Sequence, residues 1–240
     1  MINKPLTTII LAAGKGKRMN SMLPKVLNKV GEKSMIHHVI DTAKALNSDK
    51  IIIVLGYKHE IIINALRNKT VDYVLQMKQL GTAHAVLQCK ELLKEFYGNI
   101  LILYGDVPLT KVSTLSKLLD IHEKENSWSS ILTTDLPNPK GYGRIIRDAN
   151  KNMLQKIVEE KDANDKERLV CEINSGIYVF KAKELFKLLP LVNNNNSQNE
   201  YYLPDVINMM IEKKEKVAIE KINNYFEIQG VNNTIQLNEI

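Results

Sequence analysis

Residues 7–25, TTIILAAGKGKRMNSMLPK, decide the fold, because an apolar run from Thr7 to Ala13 breaks into a basic glycine turn. The apolar run is typical of a buried β-strand. Gly14 and Gly16 let the backbone take positive φ angles, so that successive N–H groups can converge on phosphate oxygens. The opposite charge comes from four side chains of the same stretch, Lys15, Lys17, Arg18 and Lys25. This pattern predicts a phosphate site after a first strand.

The glycine turn matches neither of the two common nucleotide motifs. Met19 stands where a dinucleotide fingerprint has its third glycine, and no Gly-Lys-Ser/Thr ending makes the turn a P-loop. On these residues alone, a tight turn with solvated lysines remains the alternative. The rest of the chain has to decide between a ligand site and a simple turn.

Composition and charge limit the classes of protein to consider. With 240 residues, 44% of them hydrophobic, the chain is long enough for one large α/β domain or two small ones. The net charge is +6, but the basic residues are interleaved with acidic ones and form no stripe that would follow a nucleic acid. We therefore expect a small polyanionic ligand and no nucleic-acid partner.

Cysteine usage and hydropathy indicate a cytoplasmic protein. Cys89 and Cys171 form no Cys-x-x-Cys pair, which predicts buried free thiols in a reducing compartment. No apolar segment approaches the length that crosses a membrane. We expect cytoplasmic localisation and no membrane partner.

Apolar, β-branched runs alternate with segments of helical period in the first half of the chain. Strands are predicted at Thr8–Leu11, Ile51–Leu55, Val71–Leu75 and Ile100–Tyr104. Helices are predicted at Ser34–Leu46, His59–Arg67 and Thr82–Glu95. Because the strands are apolar throughout, both faces of their sheet should be covered by helices. The pattern predicts an α/β fold with a Rossmann-like, doubly wound, mostly parallel sheet.

An acidic residue follows the fourth of these strands. Ligands of a doubly wound sheet bind beyond the carboxyl ends of its strands, so Asp106 should lie near the glycine turn. A carboxylate beside a phosphate site suits Mg²⁺, which takes one or two carboxylates together with phosphate oxygens. The alternative for Asp106 is a helix or turn cap.

The pattern loosens from Trp128 onward, where strands are separated by turns rich in Pro, Gly, Asn and Asp. These strands are predicted at Ile131–Thr134, Arg144–Arg147, Lys156–Glu160 and Val170–Phe180, and a helix at Pro204–Lys213. The segment predicts a mixed-sheet insertion. No hexapeptide period occurs after residue 180, so we expect no β-helix in this chain.

With these motifs in place, the chain resembles the sugar-1-phosphate nucleotidylyltransferases. It is most similar to the uridylyltransferase domains of bacterial bifunctional enzymes that make UDP-N-acetylglucosamine, without their β-helix acetyltransferase domain. The match is collinear from residue 7 to residue 237. Its motifs are residues 11–19, 24–27, 76–82, 103–109, 141–145, 157–163, 173–176, 200–202 and 230–233.

The resemblance implies a nucleotide-diphospho-sugar transferase fold of the GT-A-like type and a Mg²⁺-dependent reaction. UTP and N-acetylglucosamine-1-phosphate would give UDP-N-acetylglucosamine, a precursor of peptidoglycan and the cell wall, with release of pyrophosphate. Residues 1–240 would form one domain, in which about 1–125 bind the nucleotide and about 126–230 bind the sugar phosphate. Without the β-helix, a monomer or weak dimer is expected.

The resemblance also assigns roles to individual residues. The nucleotide would be bound by Leu11, Ala12, Ala13, Gly14, Lys25, Gln76, Gly81, Thr82 and Asp106. Catalysis would depend on Arg18, Lys25 and Asp106, and the metal on Asp106 and Asn232. The sugar would contact Tyr104, Gly105, Gly143, Glu159, Asn174 and Asn232.

Other interpretations stay open at this point. Tyr104 could be a core aromatic residue, and Gly143 a simple turn glycine. The chain could transfer another nucleotide or use another sugar, or it could be a non-catalytic, nucleotide-sugar-binding regulatory subunit. Gln76 with Gly81 and Thr82 favours uracil. The joint presence of Arg18, Lys25, Asp106 and Asn232 favours catalysis.

Overall fold

Strand β1 (Leu6–Ala12) lies at the centre of a mixed sheet in the computed structural model, which describes residues 4–14, 16, 23–148 and 153–231. It pairs in parallel with β4 (Lys50–Leu55) on one side and with β6 (Asn99–Tyr104) on the other. β5 (Asp72–Leu75) extends the parallel block beyond β4. The predicted parallel sheet is therefore confirmed, within one or two residues at the strand ends.

Later strands widen this sheet with antiparallel pairs. They are β7 (Ser129–Asp135), β8 (Gly143–Arg147), β9 (Leu154–Val158), β10 (Glu172–Lys181) and β11 (Val217–Ile222). β10 is antiparallel to β6 and to β7, and β11 is parallel to β7. β8 joins β10 through two residue pairs only, and β9 pairs with β8. A separate hairpin is formed by β2 (Lys29–Val30) and β3 (Lys33–Ser34).

Helices cover both faces of the sheet, as the unbroken apolar strands predict. They are α1 (Met35–Ala45), α2 (His59–Ala65), α3 (Thr82–Leu87), α4 (Val112–Lys124), α5 (Asp165–Arg168), α6 (Ala182–Leu188) and α7 (Pro204–Glu212). Alternate β1 side chains enter two cores. Ile9 packs with residues of α3, α6 and α7, while Ile10 packs with residues of α1 and α4.

One predicted helix is shorter than its apolar period suggests. α3 ends at Leu87, and after a turn a short 3-10 helix spans Glu91–Leu93, whereas the sequence predicts one helix to Glu95. The Gln88 side chain donates to the His84 carbonyl at 2.9 Å, while the Gln88 backbone N–H bonds to the Ala85 carbonyl instead. When a side chain donates to a carbonyl of the helix, it competes with the main-chain N–H that would bond this carbonyl in an α-helix. The main chain then bonds three residues back, as in a 3-10 helix.

The two cysteines differ in their surroundings. Cys89 is buried in a core, and burial raises the pKa of its thiol to about 12. Cys171 is exposed, so the prediction of two buried thiols is wrong for this residue. The sequence predicts Cys171 within the strand Val170–Phe180, but Cys171 directly precedes β10 and is therefore not buried by the packing around the sheet.

None of the helices formed by the described residues is long and apolar enough to span a lipid bilayer.

Candidate active site

The carboxyl ends of β1 and β6 bring Gly14 and Asp106, two residues of the predicted phosphate and metal site, together. β1 and β6 are in register, with Leu11 opposite Tyr104. The Gly105 N–H donates to the Leu11 carbonyl at 2.9 Å, which holds the chain after β6 beside the chain after β1. Asp106 therefore lies next to the Ala13–Gly14 turn, although the two are distant in sequence.

A lysine and a carboxylate pair at this edge. Lys25 begins a 3-10 helix, Lys25–Leu27, and its ammonium group forms an ion pair with Asp106 while both side chains are largely buried. Gly16 has a φ of 57°, and a Cβ on it would come within 2.7 Å of the Lys25 Cβ. A side chain at Gly16 would thus be strained and would push Lys25 away from Asp106.

The other end of the site is built around Gln76, which follows β5 and is 3% exposed. Its side-chain Nε2 lies 3.0 Å from the Gly81 carbonyl and 2.9 Å from Nδ1 of His84. Burial lowers the pKa of His84 below its usual value, which favours the neutral ring. These contacts fix the orientation of the Gln76 carboxamide.

Gly81 approaches another backbone too closely for a side chain. Its φ is 116°, and a Cβ would come within 2.4 Å of the Tyr201 carbonyl oxygen. Tyr201 holds both flanks of this glycine, because its N–H donates to the Leu80 carbonyl at 2.8 Å and its carbonyl accepts from Ala83 at 2.9 Å. The Thr82 hydroxyl accepts from the Leu203 N–H at 2.9 Å. The start of α3 is thus fixed against residues 201–203.

A cavity of about 350 Å³ lies between these two ends. It is lined by all nine residues that the resemblance assigns to the nucleotide, and by Tyr104. Residues that line it without having been assigned a role are Gly16, Val26, Gln79, Ala85 and Glu200. All of them except Ala85 belong to motifs quoted for the resemblance, so motif membership is the signal that could have identified those four.

Three of the predicted sugar residues form a second group, which does not line this cavity. Glu159, one of the three, lines a separate cavity of about 450 Å³. Gly143 of β8 pairs with Asn174 of β10. A Cβ on Gly143 would come within 3.2 Å of a Glu159 carboxylate oxygen and 3.4 Å of the Asn174 Cβ. The Asn174 amide is held by the Tyr178 hydroxyl, with contacts of 2.6 and 2.9 Å. A larger residue than glycine at 143 would therefore crowd both polar groups.

Tyr104 lies between the two groups of residues. It lines the cavity, and its ring packs so closely on Gly176 that a Cβ there would come within 2.7 Å of the ring. Burial raises the pKa of the Tyr104 hydroxyl, and the negative charges of Glu159 and Asp106 add to this effect. Tyr104 thus adjoins a carboxylate of each group. Gly105 packs on Val26 and Ala12 and does not line the cavity.

Glu159 has an unusual electrostatic environment. Burial, which has the largest effect, and the nearby carboxylates of Asp205, Asp162 and Glu200 together raise its pKa to about 7. The Arg144 guanidinium opposes this shift. A carboxyl group that titrates near neutrality beside a cavity is a frequent feature of functional sites.

A buried arginine holds the loop that carries Gly143. Arg144 is 2% exposed; its guanidinium donates to the Tyr142 carbonyl and pairs with Glu160 at 2.7 Å. The Gly141 N–H donates to the same Glu160 oxygen at 3.2 Å. Gly141 and Tyr142 before Gly143, and Arg144 after it, are thereby tied to Glu160, the neighbour of Glu159.

Two residues with assigned roles, Arg18 and Asn232, lie outside the described residues. So do Lys15 and Lys17 of the glycine turn. Val231, which precedes Asn232, is described, and its N–H donates to the Asp106 carbonyl at 3.0 Å.

The residues present fit a magnesium ion that is shared with substrate. Among the described residues, no group of three or more His, Cys, Asp or Glu side chains could hold a metal. Mg²⁺ at phosphate sites commonly takes only one or two carboxylates, with phosphate oxygens and water completing its octahedron. The Asp106 carboxylate, facing a cavity with Lys25 beside it, matches this donor set.

Comparison with known proteins identifies the family. The model of the nucleotidyl transferase family matches residues 7–226. The bifunctional protein GlmU of Marinobacter nauticus is 44% identical over 98% of this chain, and that of Listeria monocytogenes serotype 4a is 46% identical over 96%. These matches cover 51% and 50% of the two relatives. The chain therefore spans about half the length of the curated relatives it matches.

Solved structures share the fold at low sequence identity. A UDP-glucose pyrophosphorylase complexed with UDP-glucose has a TM-score of 0.78 at 18% identity, covering 98% of this chain and 96% of that one. A putative glucose-1-phosphate thymidylyltransferase from Bacillus anthracis, in complex with a sucrose, has a TM-score of 0.73 at 18% identity, covering 98% and 93%. Both confirm the GT-A-like nucleotidyltransferase fold.

Proposed function

The chain belongs to the nucleotidyl transferase family, and from this we propose that it transfers the uridylyl group of UTP to N-acetylglucosamine-1-phosphate. The products are UDP-N-acetylglucosamine and pyrophosphate. The two GlmU relatives support this choice of substrates. The observation that carries the proposal is the cavity beside β1, because the Lys25–Asp106 pair at one end and Gln76 with Gly81 at the other match the two ends of a nucleotide.

Transfer needs positioning and charge stabilisation more than a protein nucleophile. A phosphate oxygen of the sugar phosphate attacks the α-phosphorus of UTP, and the bond from that phosphorus to the β-phosphate bridging oxygen breaks. Lys25 would leave Asp106 to contact phosphate oxygens and offset the charge that grows on them. Asp106, with Asn232 by resemblance, would hold Mg²⁺, which would supply positive charge to offset the charge that develops on the leaving pyrophosphate.

Gln76 accounts for a preference for uracil. Its Nε2 is directed at the Gly81 carbonyl and His84, so its Oε1 is the atom that can accept from a base. Uracil offers an N3–H donor at its Watson–Crick edge, whereas cytosine has an acceptor at N3 and would leave Oε1 facing a lone pair. An unpaired polar group of this kind discriminates strongly between similar ligands.

Glu159 and Asn174 account for the choice of an amino sugar. Both carry polar groups beside Gly143, where the missing side chain leaves room. An acetamido group presents an N–H donor and a carbonyl acceptor, which a carboxylate and an amide can satisfy together. A hydroxyl in its place would leave part of this set unpaired, at a cost of about 1–3 kcal/mol.

Pyrophosphate release from a matrix of UTP, dTTP, CTP, GTP and ATP against several sugar-1-phosphates tests the proposal. We expect UTP with N-acetylglucosamine-1-phosphate to be preferred, with glucose-1-phosphate at least about tenfold lower in kcat/KM. Lys25→Ala protein purified in parallel controls for contaminating enzymes. Equal rates with both sugars would overturn the sugar assignment. A preference for dTTP or GTP would overturn the choice of UTP, and a preference for CTP or ATP, whose bases have a ring acceptor at this position, would also overturn the role of Gln76.

A further inference from the structure

Residues 225–231 connect the candidate active site with the amino end of α4. They contain a 3-10 helix, Tyr225–Ile228, and Ile228 and Val231 are both buried. The Val231 N–H donates to the main-chain carbonyl of Asp106 at 3.0 Å. This segment therefore contacts the backbone of the residue whose carboxylate faces the cavity.

Glu227 fixes the segment to α4. Its side chain is largely buried; Oε2 accepts from the Thr114 hydroxyl at 2.5 Å, and Oε1 lies 3.2 Å from the Lys111 ammonium. Its own carbonyl accepts from the Thr110 hydroxyl at 2.8 Å. Because α4 begins at Val112, the carboxylate also lies beside the positive end of the helix dipole. A buried carboxylate with these partners holds its segment firmly, and removing it leaves the partners unpaired.

The same segment contacts the loop before Gly143. The backbone of Gly230 hydrogen-bonds the Tyr142 hydroxyl, and Tyr142 packs against the core that contains Ile228 and Tyr225. Burial raises the pKa of Tyr142, and the charge of Asp106 contributes to this shift. Tyr142 and Asp106 are thus both near residues 230–231, whose position depends on Glu227.

We propose that Glu227 is a positioning residue, which orients Asp106 through the hydrogen bond from Val231. The inference rests on the proposed function, because the orientation of Asp106 matters only if Asp106 binds metal and nucleotide. Glu227 itself lines no part of the cavity, so it acts through the segment that it anchors. A purely structural Glu227 would lower the melting temperature without changing Asp106 or its ligands.

Hydrogen exchange gives a test that needs no substrate. In Glu227→Ala and Glu227→Gln, NMR should show the Val231 amide exchanging at least about tenfold faster than in the wild type, because its anchor is lost. Amides of β1 serve as the internal reference. Glu172→Ala is the matched control. Glu172 is also buried, and its carboxylate accepts from the Thr133 hydroxyl at 2.8 Å and pairs with Arg147. Neither of these partners belongs to residues 225–231.

Binding of Mn²⁺ with UTP, measured by electron paramagnetic resonance, gives the second test. We expect Glu227→Ala to weaken binding at least about fivefold, with partial recovery in Glu227→Gln, which keeps an acceptor for Thr114. If Glu227→Ala fails to fold, Thr114→Val removes the donor alone and should show the same two changes more weakly. Unchanged Val231 exchange or unchanged Mn²⁺ affinity in folded variants would overturn the inference.

The two proposals fail in different ways. If the wild type binds Mn²⁺ with UTP but releases no pyrophosphate with any sugar phosphate, the proposed reaction is wrong while the positioning role still stands. If the wild type is active and the Glu227 variants match Glu172→Ala in exchange, metal affinity and kcat/KM, only the positioning role is wrong.

Discussion

At the scale of single residues, the ion pair between Lys25 and Asp106 is the first test of the site. We expect Asp106→Ala to lower kcat/KM by about 10²-fold or more, because a charged group at the centre of an electrostatic site is lost. Melting temperature should change little, since both partners line a cavity. Pyrophosphate release with melting curves measures both effects.

Asp135→Ala is the control for this substitution, because it also removes an aspartate paired with a lysine, Lys221 at 2.9 Å, on an exposed part of the sheet. It should keep full activity, as exposed ion pairs contribute little. Activity of Asp106→Ala equal to that of Asp135→Ala at saturating Mg²⁺ would refute the role of Asp106.

Glu159 provides a prediction about pH. Its pKa is raised to about 7, so the carboxyl group is mostly protonated below that pH and ionised above it. If the ionised form accepts hydrogen bonds from the sugar, kcat/KM for the sugar phosphate should fall as the pH decreases through 7. The measurement is the pH profile of kcat/KM for the sugar phosphate at saturating UTP.

Glu159→Gln is the matched variant, because it keeps the shape and cannot titrate. Its profile should lack this inflection and retain only that of the substrate phosphate, whose second pKa is near 6. Identical profiles for the two proteins would show that Glu159 is not the titrating group.

The residues near the strand ends could be predicted from the strand pattern, whereas those brought in from elsewhere could be identified only where they belong to a motif of the resemblance. Asp106 and Gly14 each lie two residues beyond the end of an apolar strand, so their proximity follows from the parallel sheet. Val26, Ala85 and Glu200 reach the cavity through a 3-10 helix, the start of α3 and the chain before α7. No local pattern encodes how those segments pack.

At the scale of elements, an asparagine of α7 completes the edge of β9. The Asn208 side chain accepts from the Ile157 N–H at 2.8 Å and donates to the Ile157 carbonyl at 2.9 Å. It therefore replaces a neighbouring strand on the side of β9 that faces α7. Glu159 follows the end of β9, so the same contact helps to place the sugar residues.

We expect Asn208→Leu to lower the free energy of unfolding by about 2 kcal/mol, since it leaves a buried N–H and a carbonyl unpaired. Urea denaturation measures the change. Asn208→Asp, which keeps the acceptor and loses the donor, should fall between the wild type and Asn208→Leu. Full stability of Asn208→Leu would mean that these two bonds contribute nothing net.

Sequence patterns miss β11, which has a weak apolar period, and also α4, whose buried residues do recur at helical spacing. β11, Val217–Ile222, was not predicted because lysine and glutamate interrupt it, and its two faces are only partly buried at the edge of the sheet. α4 was also not predicted. β11 gains its regularity from parallel pairing with β7, a contact between segments distant in sequence.

At the scale of the whole molecule, the sheet is continuous across the two predicted parts of the chain. β6 of the first part pairs directly with β10 of the second, from Ile102 with Tyr178 to Asn99 with Lys181. We propose that residues 1–240 behave as one domain. They should then unfold in a single cooperative transition.

Two optical signals test this prediction. Trp128 is the only tryptophan of the chain. Its main-chain N–H donates to the Lys216 carbonyl and its main-chain carbonyl accepts from the Lys181 N–H, so its fluorescence reports on the second part. Far-UV circular dichroism reports on all helices and strands. The two curves should coincide in urea, and separate midpoints would show two independently folding units.

The narrow junction between β8 and β10 has a consequence for how such a protein can change during evolution. Among the residues that the structure describes, β8 pairs with β10 in the sheet only through Ile173 with Arg144 and Asn174 with Gly143. Mutations within β8 and β9 can therefore alter the surroundings of the proposed sugar residues while β1, β4, β5 and β6 keep their pairing registers. In a library scored separately for folding and for sugar choice, we expect substitutions there to separate the two phenotypes, whereas substitutions in β1 should abolish both.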